Sequence, residues 1–382
     1  MRRWNPLAVP TAVLVITAAC AGDGHGVLDP LNGDPARFTW TLPAGWPAPS
    51  VPSDNPMSAA KVELGRRLFY DPRLSGNGSA SCSSCHRQEF AFADAKNIPV
   101  GSTGEVHPRN SMAIGNVAYQ RFFNWANLAT PSLEAQALVP MFGDQPVELG
   151  LKGQESALLA RLKSDSLYRT LFPRSFPQEA EPLSIANITR AIAAFQRTII
   201  SGDSPFDRFA RGNRSALSAA AQRGETLFRS PRLKCAECHG GSLFTAAADI
   251  SGSLPAAPPF FNNGLYAAYP APNRGLFEGS GRSADMGRFK APSLRNLVFT
   301  FPYMHDGSIA SLSDVLDHYA RGGRAIPLGP NAGDGSLNPN KDARVAGFVL
   351  SAQEKGDVIE FLKSLSDSGI VRNPNFSNPW PR

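Results

Sequence analysis

Two stretches of this chain, Cys82-Ser83-Ser84-Cys85-His86 and Cys235-Ala236-Glu237-Cys238-His239, have residue types and spacing that point to a defined chemistry. Each is a C-x-x-C-H. Two thiols at that spacing can form thioethers to both vinyl groups of a haem, and the adjacent imidazole reaches the iron as proximal ligand. A zinc site, a redox dithiol and chance are the competing readings. Zinc gathers its four ligands in one place, whereas these motifs lie about 150 residues apart. A redox dithiol does not need the histidine. Two copies, in a chain whose only other cysteine is Cys20, read as two covalent c-type haems.

An internal repeat accompanies the motifs. "GRRLFYDPRL" (65–74) and "GETLFRSPRL" (224–233) share G-x-x-L-F-x-x-P-R-L, and each runs into its haem motif. This reads as duplication of a unit with a helix leading to a haem loop. Apolar spacing and caps predict helices over 57–69, 156–172, 184–200 with Ser184 as cap, and 351–365 with Ser351 and Glu354 as a capping box. No alternating strand pattern extends beyond short segments. The expected fold is therefore mainly α: two cytochrome-c-like domains, each with one covalently bound haem, facing a shared interface. The expected divisions are a signal peptide at 1–20, a tether at 21–55, an N-terminal haem domain at 56–205, a C-terminal haem domain at 206–366 and a tail at 367–382. The polar, turn-rich stretch 202–216 marks the boundary between the haem domains.

Composition fits that picture. The chain has 382 residues, 42% of them hydrophobic and 18% charged, with 34 Gly and 33 Pro, which implies real cores joined by long ordered loops. The net charge of +6 comes without a Lys/Arg block, so a nucleic-acid partner is not expected, and an acidic partner protein is a weaker alternative to plain solubility. Arg2 and Arg3 precede a short apolar run, Leu7 to Ala19, too short for a mature membrane helix. Thr17-Ala18-Ala19-Cys20 has the form of a bacterial lipobox. The expectation is export to the periplasmic side of a bacterial membrane with a lipid anchor at Cys20. Ordinary cleavage at the alanine pair is the alternative.

A third stretch, "HDGSIASLSDVLDHYARGG" (305–323), offers further iron ligands. Leu312, Val315, Leu316 and Tyr319 share one helical face, with Ser311 as cap and Gly322 or Gly323 as terminator. Taken alone, that periodicity reads as core packing for Tyr319. His318 lies about 100° away around the helix. His305 belongs to a loop, where it can hydrogen-bond a haem propionate.

The order "GRRLFYDPRLS", "CSSCH", "HPRNSMAIGNVAYQRFFNW", "SLEAQALVP", "PVELG", "CAECH", "FKAPSLRNL", "TFPYMHDGS" resembles the bacterial di-haem cytochrome c peroxidase and MauG superfamily over roughly residues 57–365. It is most similar to the MbnH-like enzymes that act with copper-binding partner proteins. Conventional members have a methionine ligand to the second haem where this chain has Tyr319; MauG and the MbnH-like group have tyrosine. A phenolate is a hard anionic donor that favours higher oxidation states, whereas a thioether favours ferrous iron. The resemblance thus implies His239 and Tyr319 on the second iron and His86 on the first. It implies a peroxide pocket of Gln136, Pro140 and Glu148, with Glu148 moving the proton. It places Trp125 between the haems and calcium on Asn110 with the carbonyls of Thr300 and Pro302. The conventional distal histidine of the first haem would fall near Ser102, so a five-coordinate haem is expected there, with His107 close by. MauG has a surface tryptophan at the position of Leu233.

Three functions follow. Hydrogen peroxide can drive both haems to the Fe(IV) level and oxidise a partner protein, with tryptophan converted to kynurenine in a copper-binding partner. The chain can instead be a conventional peroxidase fed by a small redox protein, or a non-enzymatic electron carrier. Tyr319 and the missing distal histidine favour the first over the second. Glu148 and Gln136 argue against the third.

Overall fold

The computed structural model describes residue 1, residues 34–252 and residues 257–380. The expected signal segment, with Cys20, lies outside the described residues apart from Met1. Among the described residues no helix is long and apolar enough to cross a membrane.

The sequence repeat is the trace of one helix crossing used twice. In the first half, α1 (Ala59–Tyr70) crosses the later helix Ile185–Thr198; in the second, Ala219–Phe228 crosses Ala352–Ser364. Gly65 and Gly224 occupy the two crossings. A Cβ on Gly65 would lie 1.8 Å from the Ala191 carbonyl oxygen, and one on Gly224 would lie 2.0 Å from that of Asp357. Only hydrogen fits where backbone meets backbone so closely. Four residues on, Phe69 packs edge-on to Phe195 at 5.3 Å, and Phe228 tilts against Phe361 at 5.2 Å. Two cores grow around these crossings. Leu64, Leu68, Ile192 and Phe195 belong to the first, and Phe244, Leu316, Val358 and Phe361 to the second. Cys82 packs on the first and Cys235 on the second.

The remaining helices of the first half, in chain order, are α2 (Leu133–Phe142), α3 (Glu155–Lys163), α4 (Ser166–Ser175) and α5 (Ile185–Thr198). The second half contributes α6 (Ala219–Phe228), α7 (Leu312–Arg321) and α8 (Ala352–Ser364). Two antiparallel two-residue pairs, Phe260–Phe261 with Phe289–Lys290 and Ala325–Ile326 with Gly333–Asp334, supply the strand. Ser184, Ser311 and Ser351 accept the predicted cap hydrogen bonds, and Glu354 completes its capping box. The helix expected over 156–172 is instead two, α3 and α4. The Asp165 carboxylate accepts from Leu167 N–H and starts a new helix there, as a short acidic side chain does when it competes for the backbone.

The halves are tied by buried polar groups. The Asp367 carboxylate accepts from the N–H groups of Gly202 and Asp203 and from Ser201 Oγ. Asn296 Oδ1 accepts from Asp367 N–H, and Asn116 exchanges two hydrogen bonds with the Ser201 backbone. The polar stretch 202–216, expected as the boundary between the haem domains, holds a short helix, Pro205–Ala210, whose Asp207 forms a bidentate pair with Arg295 at 2.8 Å. Residues 367–380, expected as a tail, close the first core. Ile370 and Phe376 are buried there, Tyr70 donates to Phe376 O, and Trp380 Nε1 donates to Arg67 O. The described part of the expected tether also lies on the body: Trp46 packs on Tyr119, and Asn55 is buried against Glu134.

Gly65→Ala and Gly224→Ala should each lower stability by about 2 kcal/mol or more in thermal or denaturant unfolding. Gly356→Ala, where a Cβ meets nothing within 4 Å, should leave stability unchanged or raise it by up to ~1 kcal/mol. Burial alone would raise the Asp207 pKa, but the Arg295 guanidinium and Ser204 outweigh it and hold the carboxyl below its usual value. The stability from this pair is therefore complete above the unfolded carboxyl pKa of about 4 and is lost as pH falls through the lower folded value. Asp207→Asn should cost about 3 kcal/mol at neutral pH and flatten the acid limb of a stability-versus-pH curve.

Candidate functional site: two histidine-faced cavities joined by a tryptophan

Each C-x-x-C-H forms a single helical turn, Cys82–Cys85 or Cys235–Cys238, with the histidine as its C-cap. His86 Nδ1 lies 3.0 Å from Phe92 O, and His239 Nδ1 lies 3.0 Å from Pro292 O. A carbonyl at that position fixes the Nδ1–H tautomer and leaves Nε2 with a free lone pair, the usual arrangement behind a metal-bound imidazole. Burial lowers the pKa of His86 and pushes His239 down to about 4, so both rings stay neutral. The four thiols are unpaired, and burial raises Cys82 and Cys235 to about 12 and Cys85 and Cys238 to about 11. Among the described residues no three His, Cys, Asp or Glu side chains gather around one point.

His86 faces a cavity of about 1180 Å³ that also contains Gln136, Pro140, Glu148 and His107. Gln136 and Pro140 are four residues apart on α2 and so share a face. The helix is held by Glu134, whose carboxylate takes both Arg197 guanidinium nitrogens at 2.7 and 2.9 Å. Glu148 follows in the loop after α2. His107 Nε2 lies 3.0 Å from Glu148 Oε1, an ion-pair distance, although the ring is not turned to make a linear hydrogen bond. Ser102, at the expected place of a distal histidine, donates its backbone N–H to Glu148 O at 2.7 Å.

His239 faces a second cavity of about 200 Å³, lined also by Tyr319, His305 and Lys290. Tyr319 and His239 thus line the same cavity. Burial pushes its phenol up to about 12, while a hydrogen bond with Asn263 favours the phenolate. His318 is buried beside Tyr319, ring centroids 4.9 Å apart, and does not line the cavity. His305 stacks on Phe289 at 3.6 Å, with Nε2 unpartnered. Leu233 is buried and lines this cavity.

Trp125 lines both cavities. Its indole Nε1 donates to Asn110 O at 2.8 Å, and its carbonyl accepts from Lys290 N–H at 2.8 Å. Asn110 Nδ2 donates to Lys96 O. Among the described residues no hydrogen bond reaches Asn110 Oδ1 or the carbonyls of Thr300 and Pro302, and oxygen donors of this kind suit calcium.

Lys290 was not legible from the sequence. Its ammonium is buried, donating to Gln120 Oε1 and Phe122 O, with no carboxylate partner among the described residues, and burial pushes it down to about 7. A buried cation needs an anion. Haem propionates are anions of the kind this cavity would receive. The lysine, the two aimed imidazoles and the orphaned His305 nitrogen together fit a haem in each cavity.

The comparisons agree with this geometry. The family model described as di-haem cytochrome c peroxidase matches residues 59–215. The methylamine utilization protein MauG of Methylorubrum extorquens is 35% identical over 95% of this chain and 93% of its own length. The cytochrome-c peroxidase IdrP1 of a Pseudomonas species is also 35% identical, over 95% of this chain and 91% of its own length. The chain belongs to the di-haem cytochrome c peroxidase and MauG family. It is a peroxide-dependent di-haem oxidoreductase. Among solved structures, a MauG-like protein associated with microbial copper homeostasis superposes with a TM-score of 0.87 at 46% identity, covering 90% of this chain and all of that one. The di-haem peroxidase BthA of Burkholderia thailandensis, at 23% identity and a TM-score of 0.62, shares the fold.

Lys290→Met removes a cation from the second cavity. It should leave both haems covalently attached by mass and lower the reduction potential of the His239-side haem in spectroelectrochemical titration.

Proposed function

We propose that this protein uses hydrogen peroxide to oxidise a residue of a partner protein, converting tryptophan to kynurenine in an exported copper-binding protein. The observation that carries the reading is Tyr319, placed with His239 in a cavity that shares Trp125 with the peroxide pocket. The 46% identity to a MauG-like protein associated with copper homeostasis supports the choice of partner.

Bound haem supplies each cavity with a redox-active iron. On the His86 side, Gln136 and Pro140 shape the open face, and Glu148 accepts and returns the peroxide proton. Trp125 offers a polarisable ring between the cavities, oriented by Asn110 O. Tyr319 must lose its proton to serve as an anionic ligand, and Asn263 stabilises that form. Calcium on Asn110, Thr300 and Pro302 would hold the backbone that orients Trp125. Residues 56–205 and 206–366 act as the two haem domains, and the protein works on the periplasmic side, anchored through Cys20.

The second reading is a conventional peroxidase fed by a small redox protein; the IdrP1 relatives favour it. A non-enzymatic carrier would leave Glu148 and Gln136 without a task. Adding one equivalent of hydrogen peroxide to the fully oxidised holoprotein separates the first two. The expected result is a long-lived near-infrared band, abolished in Tyr319→Phe and Trp125→Phe. Reaction only after one haem is pre-reduced would establish the conventional peroxidase instead.

A further inference from the structure

The hairpin 99–107 contributes Pro99, Val100, Gly101, Val106 and His107 to the wall of the His86 cavity. It is closed by the Val100–Val106 bridge and by hydrogen bonds from Gly101 N–H to Glu105 O and His107 N–H to Pro99 O. It is also fastened to the Glu148 loop. Ser102 N–H donates to Glu148 O at 2.7 Å, Val147 N–H donates to the Glu105 carboxylate at 3.0 Å, and Asn77 Nδ2 donates to Ser102 O at 2.7 Å. The two backbones meet so closely that a Cβ on Gly101 would lie 1.9 Å from Val147 O. The hairpin and the Glu148 loop are therefore one unit, and that unit keeps His107 Nε2 3.0 Å from Glu148 Oε1, an ion-pair distance that a turn of the ring would convert to a hydrogen bond.

We propose that His107 is the positioning partner of Glu148: it holds one carboxylate oxygen so that the other addresses the peroxide, and it links the pair to bulk water. This rests on the reading of the His86 cavity as the peroxide site. A carboxylate in a partly exposed loop turns freely unless a neighbour fixes it, and fixing it is what makes a base efficient. Both side chains keep some solvent contact, 24% for His107 and 32% for Glu148, so the pair can exchange protons with water. Glu148 would take the proton from one peroxide oxygen and return it to the other, which leaves as water when the O–O bond breaks; the two electrons are the chemistry that bound haem would supply. The other charged groups near the unit are accounted for. Glu105 is turned to Val147 N–H, Arg109 pairs with Glu278 and Lys152 pairs with Asp144. Across the cavity lie Cys85 and His86, with Asp94 and Lys96 beside them.

Cyanide binding to the fully oxidised holoprotein tests this without turnover, because hydrogen cyanide must give its proton to a pocket base as it binds. The variants are His107→Gln, His107→Asn, Glu148→Gln and the double variant, each matched for haem content and melting temperature. Both His107 variants should slow the association rate by about ten-fold or more, and adding Glu148→Gln should slow them little further. Wild-type rates in both His107 variants, or a double variant slowed by the product of the single effects, would overturn the proposal. So would a low-spin first haem that becomes high-spin only when His107 is replaced, which would make His107 an iron ligand. Neither readout involves Tyr319 or a partner protein, so failure of the protein-modifying reading leaves this test intact.

Discussion

The arrangement depends on the buried carboxylate of Asp367. It is the point where the last segment of the chain, the backbone at 201–203 and the side chain of Asn296 meet. A buried anion is tolerable only when donors surround it; here they come from Ser201, Gly202 and Asp203 of the first half and from Gly369, while the Asp367 N–H donates to Asn296 of the second half. The result is a joint that resists hinge motion. The joint fixes how the two cavities sit about Trp125, which lines both and is held from one half by Asn110 and from the other by Lys290.

The two cavities arise from one duplicated unit yet do different work. Both have a neutral imidazole aimed by a backbone carbonyl. They differ on the opposite face. In the first, a helix and a hairpin present an amide, a carboxylate and an imidazole around open space. In the second, α7 brings a phenol into a narrow, largely apolar chamber with one buried cation. Chemistry is thus assigned by what the loops and α7 add to a shared frame, not by the haem-attachment turns.

What was legible in the sequence was local. The attachment motifs, the helix caps and the repeat are signals within about ten residues, and the repeat's glycine and phenylalanine have a direct structural reason in the crossings. The break between α3 and α4 was local as well, in Ser164-Asp165, but a strong apolar period masked it. Periodicity could put Tyr319 on the inner face of α7; only the resemblance could say that an iron belongs there, and the same holds for Trp125 and Asn110. The role of Lys290 was not legible, because its burial is decided by Gln120 and Phe122, about 170 residues away. A separation of more than 300 residues likewise hid the packing of residues 367–380 against α1.

That last packing has a consequence for how the molecule comes apart. The first core is sealed by Ile370, Phe376 and Trp380, which follow the second core's helices in the chain. The described members of the second core lie within residues 206–365. Drawing the halves apart would therefore strip α1 of part of its cover while leaving the second core whole. The first half owes some of its stability to a segment that the second half delivers.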